Sequence, residues 1–350
     1  MGGTMMASVG FNENGIFKVN GVEQIGVYPF RNRIINGDMA INQINGTAEV
    51  IPTGNVYVTD GWRGAVSVAS KLKFQQVADA PNGFKYSTKI TVASQYSPSA
   101  SDDMTFQQRI EGQMITDFAF GTAGAVTINT SMWIKGSVAG KYSVSIVSSD
   151  TSRSYIGTIN VTTSWSKVSI NLAGANDGTW NTDNTVGMFL MIDLGSGSNF
   201  NTTEGAWQTG SYRRTADSVT FVNQAVGSTL NITGVQLEKV PTGATQGTDF
   251  EFLPYDVSLR RCQRYYQVFS SIGGGWKYGT AGADRWNCDI FFKEKMRVVP
   301  TITNSTGIYE NCSNLTFHAT DNYRTTLRLT VPTTGTYRWY AGVVYLSAEL

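Results

Sequence analysis

Between residues 31 and 255 apolar and polar positions alternate in short runs, and the runs are separated by Gly, Asn, Asp and Pro. In AVTINTSMWIKG, Val126, Ile128, Met132 and Ile134 share one parity, while Thr127, Asn129, Ser131 and Trp133 share the other. That period of two belongs to a strand with one face buried. KYSVSIV and WSKVSINL repeat the pattern. TVGMFLMIDLG is apolar at both parities, which predicts a central strand covered on both faces. In LNITGVQLEKV the apolar parity runs through Leu230 and Ile232 and then flips to Val235 and Leu237 across Gly234. A β-bulge at that glycine returns every side chain to its face. Many short strands with frequent turns and no helical period predict an all-β chain, an antiparallel β-sandwich of the jelly-roll type.

The flanks break this pattern. Residues 1–30 carry two Asn-Gly pairs around short apolar runs, the signal of one or two small hairpins, and read as a separate N-terminal arm. In DVSLRRCQRYYQV, residues 256–268, Leu259, Cys262 and Tyr266 recur at helical spacing and Asp256 is a fair N-cap. A connector helix of two to three turns is expected there, with Arg260, Arg261 and Arg264 solvated or paired rather than forming an anion site. Strand patterns resume over 269–350 and predict a second, smaller β domain. The expected organisation is thus an arm at 1–30, a jelly-roll domain at 31–255, a helix at 256–268 and a C-terminal β domain at 269–350.

Composition narrows the function. Charged residues make up 15% of 350 positions and the net charge is +1, so no broad field is available for a phosphate backbone or an anionic membrane. MFLMI at 188–192 is far shorter than the roughly 20 apolar residues that span a bilayer, and the first ten residues do not read as a secretory signal. A soluble chain without nucleic-acid partners or membrane insertion is expected. Three cysteines, Cys262, Cys288 and Cys312, without C-x-x-C spacing predict reduced, buried thiols.

The inventory for catalysis is thin. His318 is the single histidine, which removes most triads and every multi-histidine metal site, and it reads as structural. GGGWKYG at 273–279 and GSGSNF at 195–200 lack the order of phosphate-binding glycine motifs and read as loops. Glu111, Asp177, Asp183, Asp193 and Glu204 supply carboxylates for a glycosidase pair only in the sense that acids stand there. In NDGTWNTDN, Asp177 and Asp183 offer oxygen ligands for a structural calcium without EF-hand spacing, and an Asx-stabilised loop is the simpler reading. No cofactor is expected. Aromatic residues say more. Flat rings stack on the apolar face of pyranoses, and Trp180, Trp207, Tyr212, Arg213 and Trp133 stand among polar neighbours suited to sugar hydroxyls. The competing reading packs these rings into the second sheet or a subunit interface.

Taken in order, RNRIINGDMAINQ, VTDGWRG, NDGTWNTDNTVGMFLMIDLGSGSNF, GAWQTGSYRR, ITGVQLEKVPTGATQGTDFEFLPYDVSLRRCQRYYQV and LSAEL resemble successive blocks of bacteriophage tail-fibre and related virion proteins. Their jelly-roll domain is similar to carbohydrate-binding modules. The resemblance is good over about residues 31–268 and looser beyond. It implies a non-enzymatic virion protein of receptor-binding type, commonly a homotrimer. The arm at 1–30 would join other virion proteins and the sandwich loops would touch a host-surface polysaccharide. It also leaves open a capsid-decoration, head-fibre or neck and collar protein that ignores the host; a polysaccharide-cleaving enzyme fits less well.

Overall fold

The computed structural model describes residues 9–11, 17–19, 22–23, 30–270, 274–280, 285–304, 308–312, 316–318, 320–340 and 342–350. Three short strands, β1 (Val9–Phe11), β2 (Phe17–Val19) and β3 (Val22–Glu23), form an antiparallel meander within the arm. Twelve strands follow: β4 (Val56–Thr59), β5 (Trp62–Val66), β6 (Leu72–Val77), β7 (Ser87–Val92), β8 (Met104–Glu111), β9 (Ile128–Gly136), β10 (Gly140–Ser148), β11 (Arg153–Val161), β12 (Ser166–Leu172), β13 (Val186–Asp193), β14 (Trp207–Thr209) and β15 (Thr229–Lys239). They build a seven-stranded sheet in the order β14-β11-β10-β13-β8-β5-β4 and a five-stranded sheet in the order β12-β9-β15-β7-β6. Every ladder is antiparallel and the chain passes repeatedly from one sheet to the other, which is the jelly-roll sandwich the alternation predicts.

The core lies between the sheets. Ile128, Met132 and Ile134 of β9 face Met188, Leu190 and Ile192 of β13 across a shared apolar layer. Trp62 stacks on Phe106 at 4.8 Å between centroids, and Phe106 in turn meets Phe74 at 5.9 Å. β13 is central as expected, and its outward Met191 is buried too. The predicted bulge is present: the β15–β9 register shifts between Thr233 and Gln236, and Gly234 adopts φ +60°.

Residues 31–43, RNRIINGDMAINQ, form no strand but brace the sandwich through buried amides. Asn32 Oδ1 accepts the Ile34 and Leu237 N–H groups, and Asn36 donates to the Ile41 and Asp60 carbonyls. Gly37 is required here, since a Cβ at that position would stand 2.1 Å from the Val235 carbonyl oxygen.

Helix α1 spans Tyr255–Gln263. Its N-cap lies two residues earlier than expected: Pro254 takes that place without a side-chain cap, and Asp256 sits in the first turn, where its charge faces the positive helix end. The apolar stripe uses Leu259, Cys262 and Tyr265, packed with Ile35, Ile41 and Leu350. Tyr266 instead opens the next strand, because the helix stops at Gln263. The arginines are mostly paired. Arg264 binds Glu111 at 2.6 Å, Arg261 donates to the Asn32 carbonyl, and Arg260 approaches Glu294 at 3.5 Å.

Beyond the helix run β16 (Tyr266–Phe269), β17 (Gly274–Gly279), β18 (Arg285–Phe291), β19 (Thr301–Asn304), β20 (Ile308–Glu310), β21 (Thr316–His318), β22 (Arg324–Thr330), β23 (Gly335–Tyr340) and β24 (Val344–Ser347). They pair as three three-stranded sheets, β16-β24-β19, β17-β23-β20 and β18-β22-β21. Within GGGWKYG, Gly274–Gly279 is therefore a strand rather than a loop, paired with β23 from Gly274–Tyr340 to Gly279–Gly335. Two apolar clusters serve this part, one around Leu327, Leu329 and Trp339 and one around Met296, Val344 and Leu346. Cys262 is free and buried; Cys312 is free but only half-buried, and the Cys288 side chain lies outside the described residues. Among the described residues no helix is long and apolar enough to cross a membrane.

Candidate functional site

The loops at one end of the sandwich enclose a polar cavity of about 230 Å³ lined by residues of three connections: Ser97 and Pro98 after β7, Ser196–Ser198 and Asn201 after β13, and Arg214, Ala216, Thr220 and Asn223 before β15. Its frame is set by a buried ion pair. Asp193, at the end of β13, accepts the Gly195 and Ser196 N–H groups, and Arg214 stands 3.5 Å away with 4% of its side chain exposed. Burial pushes the Asp193 carboxyl up to about 6 although Arg214 and the two amides pull it down. Arg214 spends its remaining donors on the wall: the Ser196, Thr215 and Ser218 carbonyls and the Thr220 hydroxyl. The Ser196 hydroxyl is committed as well, to the Met104 backbone and to Asp103.

The other lining groups are free. Among the described residues no protein hydrogen bond is made by the hydroxyls of Ser97 and Ser198 or by the amide side chains of Asn201 and Asn223, and the Asn201 Oδ1 is buried without a partner. A wall of committed charges and uncommitted neutral donors and acceptors binds groups that both give and take hydrogen bonds.

The residues expected from sequence are dispersed. Trp180 is 9% exposed and belongs to the core: its indole N–H donates to the Asp177 carbonyl, and its ring meets Phe120 and Trp207 edge-on at 4.9 and 5.5 Å. Trp207, on edge strand β14, is half-buried, donates to the Ala173 carbonyl at 2.7 Å and packs on Tyr155. Together they plug the opening between the sheets. Tyr212 lies against Gly210, and its N–H donates to the Ser154 hydroxyl. Arg213 is buried; it caps the Phe200 ring at 5.0 Å and pairs with Asp103 at 3.3 Å, outside the cavity. Trp133 stands apart on the outer face of the five-stranded sheet, opposite Lys167 and Thr233. The arginine that reaches the cavity is the neighbour, Arg214.

The carboxylates do not assemble as a catalytic pair at this site. Of the candidate acids only Asp193 stands beside it, and it is paired with Arg214. Glu111 is held by Arg264 and the Tyr265 hydroxyl, Glu204 by Lys141 at 2.8 Å, and Asp177 by Arg153. The Arg153 guanidinium holds the Asp177 carboxyl below its usual range, as the Thr185 hydroxyl and N–H do for Asp183. Asp177 and Asp183 have protein partners, and among the described residues no group of three or more His, Cys, Asp or Glu side chains is placed to hold a metal.

No family model matches the chain, and no curated protein matches it. Among solved structures, a CBM4 structure shares 15% identity over 59% of this chain and 98% of its own, with a TM-score of 0.30. TmCBM61 in complex with β-1,4-galactotriose shares 11% over 60% of this chain and 99% of its own, with a TM-score of 0.29. The enzymatically active domain of bacteriophage CBA120 tailspike protein 4 shares 14% over 61% of this chain, with a TM-score of 0.31; the match spans 22% of that chain. The sandwich assignment rests on strand order and pairing, not on these scores.

Proposed function

We propose that the protein is a non-enzymatic phage virion component of tail-fibre or receptor-binding type that holds host-surface glycan through the loops at the cavity end of its sandwich. The observation that carries glycan recognition is the cavity itself: its free side chains are all uncharged hydroxyls and amides, and its one guanidinium is balanced by Asp193. Sugar hydroxyls match such a wall. The virion assignment draws on the ordered sequence blocks that resemble tail-fibre proteins, several of which fall on the bracing segment, the bulged strand and α1. In this reading residues 1–30 attach the molecule to the particle, residues 31–255 recognise, and the assembly is a homotrimer. A non-catalytic role is supported by the pairing of each candidate acid with a cation or hydroxyl.

A glycan array probed with the purified full-length protein tests recognition, and labelled antibody on intact particles tests location. Specific glycan retention and particle-bound label are expected. Release of reducing ends from a bound polysaccharide would overturn the non-catalytic part, and retention of no glycan at all would overturn recognition.

A further inference from the structure

Resting on the glycan reading, we infer that the loop-end cavity is selective for a single uncharged sugar ring, such as a terminal neutral hexose, and rejects uronic or sulfated rings. Three observations lead there. The first is size. At about 230 Å³ the depression, open to solvent, falls below the roughly 300–1,000 Å³ of sites that enclose drug-sized ligands and seats about one ring, with the rest of a chain at its open mouth.

The second is charge. An anionic ring needs an unspent cation, and the lining offers none. Arg214 is the single charged lining residue, and its guanidinium is already divided between Asp193, three backbone carbonyls and the Thr220 hydroxyl. Arg213, next in the chain, turns away to Asp103 and Phe200. Asp102 lies just behind the same wall, where it accepts the Ser67 and Tyr96 hydroxyls and the Ser99 N–H, and Asp103 receives Arg213 and the Ser196 hydroxyl. With both arginines spent on these acids, an entering carboxylate or sulfate finds no counter-charge.

The third is the set of free partners. Asn201, Asn223, Ser97 and Ser198 present amide and hydroxyl groups with no protein bond to lose. Each can both donate and accept, as a ring hydroxyl does, whereas a carboxylate or sulfate only accepts.

The test is saturation-transfer NMR and calorimetry on the full chain with methyl glucoside and methyl galactoside, their uronic acid counterparts and their 2-amino counterparts. At least one neutral glycoside is expected to bind saturably, and its uronate at least about tenfold more weakly, the loss that one hydrogen bond or a modest repulsion produces. Asn201→Ala is expected to weaken the neutral ligand about tenfold. Ser97→Trp, at an exposed rim position, should abolish binding by filling the space; thermal melting reports whether each variant is folded. Equal or tighter binding of the uronate, preference for the amino sugar, or unchanged binding in folded Ser97→Trp would overturn the inference. If the array still shows glycan retention by Ser97→Trp, the glycan reading stands and this cavity is not its seat; if the unaltered protein retains no glycan, both fall.

Discussion

At the scale of single residues, the fold depends on side chains that combine bulk with one polar commitment. Trp62 is fully buried, stacks on Phe106 and donates its indole N–H to the Asn36 carbonyl at 3.1 Å. Trp62→Ala would leave a cavity and an unpaired carbonyl, and a loss of about 3–5 kcal/mol is expected in urea unfolding. The same principle accounts for where Trp180 and Trp207 stand, each packed on other rings with its indole N–H committed to a carbonyl. Sequence shows an aromatic ring among Gly, Asn and Asp, a context shared by exposed sugar platforms and by rings that close the end of a sandwich. Only the fold brings Phe120 and Tyr155, remote in sequence, against them. Ser97, Ser198, Asn201 and Asn223 carried no signal, since each is an ordinary loop residue, and three separate connections must meet before they line one space. A hint did exist in the two adjacent arginines of SYRR, one of which frames the cavity.

At the scale of elements, the strands were largely legible because their information is local. Parity alone located β9, β10 and β12, an unbroken apolar run located β13, and the parity flip at Gly234 located the bulge. Gly234→Ala would place a β-carbon 2.7 Å from the Phe84 ring and 3.0 Å from Trp133 at a positive φ. A cost of about 1–2 kcal/mol is expected, read as a lower melting temperature with the far-UV spectrum unchanged. Glycine-rich β17 was illegible for the opposite reason: with few side chains to show parity, its strand character comes from the pairing with β23, remote in the chain, from Gly274–Tyr340 to Gly279–Gly335. For α1 the connector was visible, but its attachment was not. The joint depends on Arg264 and Tyr265 meeting a Glu111 that is 1% exposed. Arg264→Ala would leave that carboxylate with a phenol and the Gln113 amide as its remaining partners. Because Arg264 keeps 30% of its side chain in solvent, the expected loss of about 2 kcal/mol is below that for a fully buried pair.

At the scale of the whole molecule, the sandwich and the C-terminal strands meet through carbonyls and one buried acid. Arg297 donates to the carbonyls of Asn184, Ala348 and Glu349, while Tyr57 and Arg109 donate to that of Leu350. Burial, with Asp60 nearby and Arg297 only partly compensating, pushes the Glu349 carboxyl from 4.5 up to about 8. The folded state therefore holds a proton that the unfolded chain releases. The stability this supplies is complete below about pH 4.5 and declines, by about 1.4 kcal/mol per pH unit at most, until pH passes about 8. Denaturation midpoints measured from pH 5 to 9 should fall in this window, and Glu349→Gln should flatten the profile; an unchanged slope in the variant would assign the effect to Asp60 or another group. The division of labour around the cavity has a separate consequence. Asp193, Arg214 and Ser196 hold the loops, while the side chains of Ser97, Ser198, Asn201 and Asn223 make no hydrogen bond among the described residues. Replacements at those four positions break no side-chain hydrogen bond of the fold, so under the proposed function they would alter what the protein adheres to by point changes on a frame that stays put.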